Sequence, residues 1–241
     1  LSDLSGNRTP WSAFGGNAES SSDFFVVAPA SDLARNTWSE LPGPPASVDA
    51  AGGALVGAGS DFLYALRGQG TTQFWRYSRS ERAWSWMAAT PGPVGSGATL
   101  AYPGSGEFVY ALRGGGGVEF WRYSMGSDTW APMAGAPGGT SYGALAAVGG
   151  AHLYGLGQGQ WSAWFSRYSV ATNTWEALAP APSTAFYGMS LAYPGTGDFL
   201  YALRGGGTAE FWRYSIASNT WEALAATPGA VSTGGSLASA G

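Results

Sequence analysis

Two sets of arginines recur along the chain, and they are its clearest candidates for chemistry. Arg67, Arg113 and Arg204 each stand between a leucine and a glycine, and Arg76, Arg122, Arg167 and Arg213 each precede a Tyr-Ser pair. Carboxylates recur beside them: Asp61, Glu107 and Asp198 lie ahead of the first set, Glu119 and Glu210 ahead of the second. A guanidinium is a planar fork of donors that matches a carboxylate or a carbonyl. The arginines can therefore be links of a structural network, each tied to a carboxylate or carbonyl of its own repeat or the next. They can also form polar pockets, a fork beside an aromatic ring, suited to carboxylate or sugar ligands. On that second reading the candidate ligand or partner contacts are Arg67, Arg113, Arg204, Trp75, Trp121 and Trp212. Buried charges are normally paired, so the network is the favoured expectation.

Catalysis has less to stand on. The single histidine, His152, occupies a place that is phenylalanine in other repeats, which reads as a substituted strand end and not as a base. Without cysteine there is no disulfide, thiol nucleophile or thiolate metal ligand. A hydrolytic pair of carboxylates must lie a few ångströms apart, and no motif nominates one. Gly114 to Gly117 precedes a strand-like segment where a phosphate loop would open a helix, so that reading fails its context. No catalytic residue, metal site or cofactor is nominated.

A net charge of −4 without any basic cluster offers nothing to a phosphate backbone, so nucleic acid is not an expected partner. No apolar run reaches the ~18 residues that cross a bilayer. Nothing at the start reads as a signal peptide; Leu1 in place of methionine fits a removed export signal and an artificially chosen start alike, and secretion or a cell-surface place is the expectation. Asn7-Arg8-Thr9 fits the glycosylation acceptor pattern.

The elements that carry these residues repeat. Phe-Leu-Tyr-Ala-Leu-Arg-Gly at Phe199 and at Phe62, and Phe-Val-Tyr-Ala-Leu-Arg-Gly at Phe108, are each followed by Phe-Trp-Arg-Tyr-Ser and then a tryptophan. A looser copy begins at His152. The closing tryptophans Trp38, Trp84, Trp130, Trp175 and Trp221 are spaced 46, 46, 45 and 46 residues apart, the mark of one stacked supersecondary unit. Aromatic content of 15%, with glycines and prolines placed between the aromatic segments, makes those segments antiparallel strands and the glycines turns. Each unit divides into four: a small-residue strand suited to crowding near an axis, the Phe-Leu-Tyr strand, the Trp-Arg-Tyr strand, and the strand of the closing Trp.

The chain ends complete the pattern. Trp11 to Gly16, Phe24 to Val27 and Asn36 to Trp38 resemble the second, third and fourth strands of a unit that lacks its first, and residues 235–239 supply a first strand. The expected fold is all-β, a single propeller domain over residues 1–241 with five four-stranded blades, in which the C-terminal strand joins three N-terminal ones. Such closure leaves few bare strand edges.

The glycines after an apolar strand, the tyrosine of the next strand and a tryptophan seven residues later, as in Tyr214 to Trp221, resemble the kelch motif of galactose-oxidase and kelch-type β-propellers over nearly the whole chain. The resemblance implies that Tyr77, Tyr123, Tyr168 and Tyr214, with the five closing tryptophans, pack between adjacent sheets. Strand alternation puts Trp75, Trp121 and Trp212 on the same face as those tyrosines, so core is the expectation for them too. The chain departs from the motif where Arg67, Arg113 and Arg204 precede the glycines, and kelch rings more often have six or seven blades. One histidine and no cysteine also fail the copper site of galactose oxidase.

Three functions follow. The leading one is a non-enzymatic, extracellular interaction or assembly propeller, whose partner is another protein or a second copy of itself; it rests on fold analogy, the lack of catalytic groups and short loops. The second is a multivalent lectin-like propeller binding glycans. The third is a sugar-active enzyme similar to the kelch-type sialic acid epimerases.

Overall fold

The computed structural model describes residues 11–14, 40–48, 52–159 and 163–239. Strand β1 (Trp11–Phe14) comes first, followed by four antiparallel four-stranded sheets. Sheet I is β2 (Ala54–Ala58), β3 (Phe62–Leu66), β4 (Phe74–Ser78) and β5 (Ala83–Trp86). Sheet II is β6 (Thr99–Ala101), β7 (Phe108–Leu112), β8 (Phe120–Ser124) and β9 (Thr129–Pro132). Sheet III is β10 (Tyr142–Val148), β11 (His152–Gln158), β12 (Ala163–Ser169) and β13 (Thr174–Ala177). Sheet IV is β14 (Ser190–Ala192), β15 (Phe199–Leu203), β16 (Phe211–Ser215) and β17 (Thr220–Ala223). Strand β18 (Ser236–Ser239) ends the described chain. Each sheet is a meander in chain order, and no helix occurs among the described residues. The all-β architecture of repeated four-stranded sheets is that of propeller blades.

Strand β18 pairs antiparallel with β1, Trp11 opposite Ser239 and Phe14 opposite Ser236, so the two ends of the chain meet in one sheet. The other strands expected of that unit, at Phe24 to Val27 and at Trp38, lie outside the described residues.

Alternation makes the third strand of each sheet a two-sided core element. In β4, Phe74 faces one way and Trp75 and Tyr77 the other, and all three are buried. Phe74 meets the next sheet edge-on, with ring centroids 4.8 Å from Tyr123 and 4.9 Å from Trp130. Phe120 repeats this against Tyr168 and Trp175, and Phe165 against Tyr214 and Trp221. Edge-to-face pairs of this kind add to the area each ring buries.

Hydrogen bonds give these contacts their register. The indole N–H of Trp130 donates to the Ala88 carbonyl of the preceding unit (2.9 Å), that of Trp175 to Ala134 (2.9 Å), and that of Trp221 to Ala179 (2.9 Å). The same alanines donate their N–H groups to Asp128 (2.8 Å), Asn173 (2.9 Å) and Asn219 (2.8 Å). Those side-chain oxygens also accept from Tyr123 (2.7 Å), Tyr168 (2.8 Å) and Tyr214 (2.8 Å). Asp128, Asn173 and Asn219 hold left-handed backbone (φ 53°, 55° and 54°), which Asp and Asn tolerate better than most residues. Burial pushes the Tyr168 and Tyr214 phenols up to about 12, and burial with the Asp128 carboxylate pushes Tyr123 higher still.

Candidate functional site

The two arginine sets are structural links. Arg113 pairs with Glu119 (2.7 Å) and donates Nε–H to the Pro93 carbonyl (2.9 Å). Arg204 pairs with Glu210 and donates to Thr184 (3.0 Å). Arg67 donates to the Gln73 side chain (3.3 Å) and the Ser47 carbonyl (3.2 Å). Each of the three thus fastens the glycine loop after a second strand to the segment that leads into its sheet. In the other set, the guanidinium carbons of Arg76, Arg122 and Arg213 lie 4.5, 4.1 and 4.4 Å from the ring centroids of Phe62, Phe108 and Phe199. Where His152 replaces that phenylalanine, Arg167 pairs with Glu176 at 2.6 Å. Trp75, Trp121 and Trp212 are 0%, 5% and 2% exposed, which leaves no indole face for a ligand. The six residues nominated as contacts are not brought together in one pocket.

What does converge is the set of inner strands. β2, β6, β10, β14 and β18 neighbour one another in that order, and the segments that lead into them surround a cavity of about 400 Å³. Three residues ahead of the recurring leucines Leu55, Leu100, Leu145, Leu191 and Leu237 stand Gly52, Gly97, Tyr142, Gly188 and Gly234, all lining it. The four glycines have positive φ (96°, 79°, 76° and 85°). A Cβ on Gly97 would come within 2.8 Å of the Tyr142 backbone, so crowding as well as φ calls for glycine there. Tyr142 escapes the requirement because β10 begins at it, in extended pairing with Gln158, as part of a seven-residue strand.

One residue earlier in each segment, the lining residues are Ser96, Tyr187 and Thr233. Tyr187 is 41% exposed, and its ring sits 6.0 Å from that of Tyr142 at an interplanar angle of 70°. Its backbone is held firmly: Gly206 N–H donates to the Tyr187 carbonyl (2.8 Å), Phe186 N–H donates to Arg204 (3.0 Å), and the Arg204 guanidinium lies 5.6 Å from the Phe186 ring centroid. Arg204 therefore supports the loop that presents Tyr187 without lining the cavity itself.

The cavity thus has one aromatic side built by adjacent sheets III and IV, and glycines, small hydroxyl residues, Ala98 and Met189 elsewhere. Among the described residues no charged side chain lines it, and no cluster of His, Cys, Asp and Glu could hold a metal. Rings for stacking, hydroxyls and backbone groups suit a polar ligand with an apolar face. Tyr142 and Tyr187 belong to no motif, so the repeat pattern does not nominate them. Their signal was a departure: two bulky residues, in consecutive repeats, at places that are Gly, Ala, Ser or Thr in the others.

No protein-family model matches the sequence, and no curated protein matches it. No helix among the described residues is long and apolar enough to cross a membrane. Solved structures do share the fold: that of YjhT superposes with a TM-score of 0.63 at 17% identity, over 78% of this chain and 68% of that one. At such identity the likeness is one of fold, a propeller-like stack of four-stranded sheets around a central opening.

Proposed function

We propose that the chain is a sugar-active protein whose site is the axial cavity beside Tyr142 and Tyr187. The reading replaces the non-enzymatic interaction or assembly module favoured by the sequence, which is overturned by the fold likeness to YjhT, a kelch-like sialic acid mutarotase. It is carried by one observation: a ring of small residues, repeated around the axis, is broken at two neighbouring places by tyrosines that face the same cavity. Pyranose rings present an apolar face to aromatic side chains and hydroxyls to polar groups, and this wall supplies both. A phenol hydroxyl both donates and accepts. Interconverting sugar anomers opens the ring as a proton reaches the ring oxygen and one leaves the anomeric hydroxyl, and in this reading the Tyr142 and Tyr187 hydroxyls, each accepting one proton as it gives up another, relay it.

The same reading makes the propeller a closed ring of five blades. Five segments line the cavity, and in the sequence Asn36 and Trp38 stand as Asn219 and Trp221 do relative to their own repeat.

The test is the approach of freshly dissolved sugars to anomeric equilibrium, followed by proton NMR, with D-galactose, D-glucose and N-acetylneuraminate as substrates. The rate should rise in proportion to protein concentration for at least one sugar. It should fall to background in the Tyr142→Phe, Tyr187→Phe double variant, whose melting temperature should match the parent. Unchanged rates for all three sugars, together with no binding, would remove the proposal.

A further inference from the structure

Resting on the axial site being a sugar site, we infer that its ligand is an uncharged sugar and not a sugar acid. A bound carboxylate needs a cation or several directed N–H donors to replace its water. The paired guanidinium groups nearest in kind are committed elsewhere: Arg113 to Glu119, Arg204 to Glu210, Arg167 to Glu176 and Arg213 to Glu222. None of them lines the cavity. The described lining offers the hydroxyls of Ser96, Tyr142, Tyr187 and Thr233, which exchange hydrogen bonds with sugar hydroxyls but supply no cation to a carboxylate, and the chain's net charge of −4 opposes an anion. Tyr187, exposed on an anchored loop and edged by Tyr142, provides the stacking surface that holds a neutral ring without a charge.

The experiment compares D-galactose with D-galacturonate, which differ only at the carboxylate, by saturation-transfer NMR titration of the parent, Tyr187→Thr and Thr233→Arg proteins. Thr stands at position 233, equivalent to Tyr187, so Tyr187→Thr keeps a side chain this ring already accommodates. Galactose should bind at least tenfold more tightly than galacturonate, and Tyr187→Thr should weaken galactose at least tenfold. Thr233→Arg, which places a guanidinium at the cavity, should narrow or reverse the preference. Galacturonate binding as tightly as galactose, with the same Tyr187 dependence, would overturn the uncharged-sugar inference and leave the sugar site standing. Failure of both sugars to bind would overturn the site itself.

Discussion

Sheets III and IV fill the same space by different means. In sheet IV, Trp212 lies opposite Ala202 and packs against Trp221, with ring centroids 6.3 Å apart. In sheet III the corresponding pair is Ser166 opposite Gly155, and the missing indole comes from Trp164, two residues earlier on the same strand face. Trp164 packs against Trp175 at 5.7 Å and donates to the Gly139 carbonyl at 3.2 Å. Room for it comes from three glycines: a Cβ on Gly155 or Gly138 would lie 2.8 Å from the indole, and one on Gly157 would overlap it. Position 157 is where Arg204 stands in sheet IV, and position 164 is where its partner Glu210 stands. An ion pair and a tryptophan have thus been exchanged together for a shifted tryptophan and glycines. Divergence that conserves packed volume changes several positions at once. Tyr142 belongs to the same divergent sheet, but it faces the axial cavity, where no such filling is required.

The sharpest break in the comparison is to empty the space on each side. Trp212→Ala and Trp164→Ala should each cost about 3 to 5 kcal/mol, read as loss of denaturation midpoint, with the larger loss at the fully buried Trp212. Equal, small losses would mean that neither indole is a packing element.

The two sheets should share one alkaline limit. Tyr168 and Tyr214, both pushed up to about 12 by burial, stay protonated in the fold while an unfolded tyrosine ionises near its ordinary 10.0. Because the folded values are raised, their contribution is fully present below pH 10 and is lost as pH rises from about 10 to 12. Melting temperature should fall over that window, and phenolate absorbance should lag behind the titration of the exposed tyrosines.

Converting one sheet toward the other sharpens the comparison. Gly157→Arg alone should cost about 1 to 3 kcal/mol by overlap with Trp164. Adding Trp164→Glu and Ser166→Trp should recover most of that loss, because the set then reproduces sheet IV. If the triple variant is no more stable than the single one, the exchange is not compensatory.

The smallest effect concerns the contact before sheet I. There Trp84 donates to Pro42 (2.8 Å), as the other closing tryptophans do to alanines, but proline has no N–H to offer. Arg82 stands where Asp128, Asn173 and Asn219 do, at φ 53°, and the buried Tyr77 hydroxyl has no partner among the described residues. Arg82→Asn should stabilise by about 1 kcal/mol, through easier left-handed backbone and an acceptor for Tyr77. Unchanged melting would show that the hydroxyl is already satisfied by water.

The tryptophan spacing and the recurring Phe-Leu-Tyr and Trp-Arg-Tyr strings by themselves determined the four-stranded meanders, the inward place of the small-residue strands and the pairing of residues 236–239 with 11–14. Strand periodicity is local and repeats give many copies of the same signal, so it is legible without coordinates. Only the tertiary structure decided what the arginines do, because a guanidinium twenty residues from its carbonyl in sequence has no local signature. Only it could show that Trp164 stands in for the tryptophan absent at 166, since that depends on which glycines meet one indole. The axial wall was hidden for the same reason: Tyr142 and Tyr187 are 45 residues apart in sequence and become neighbours only when inner strands from successive sheets turn toward one opening.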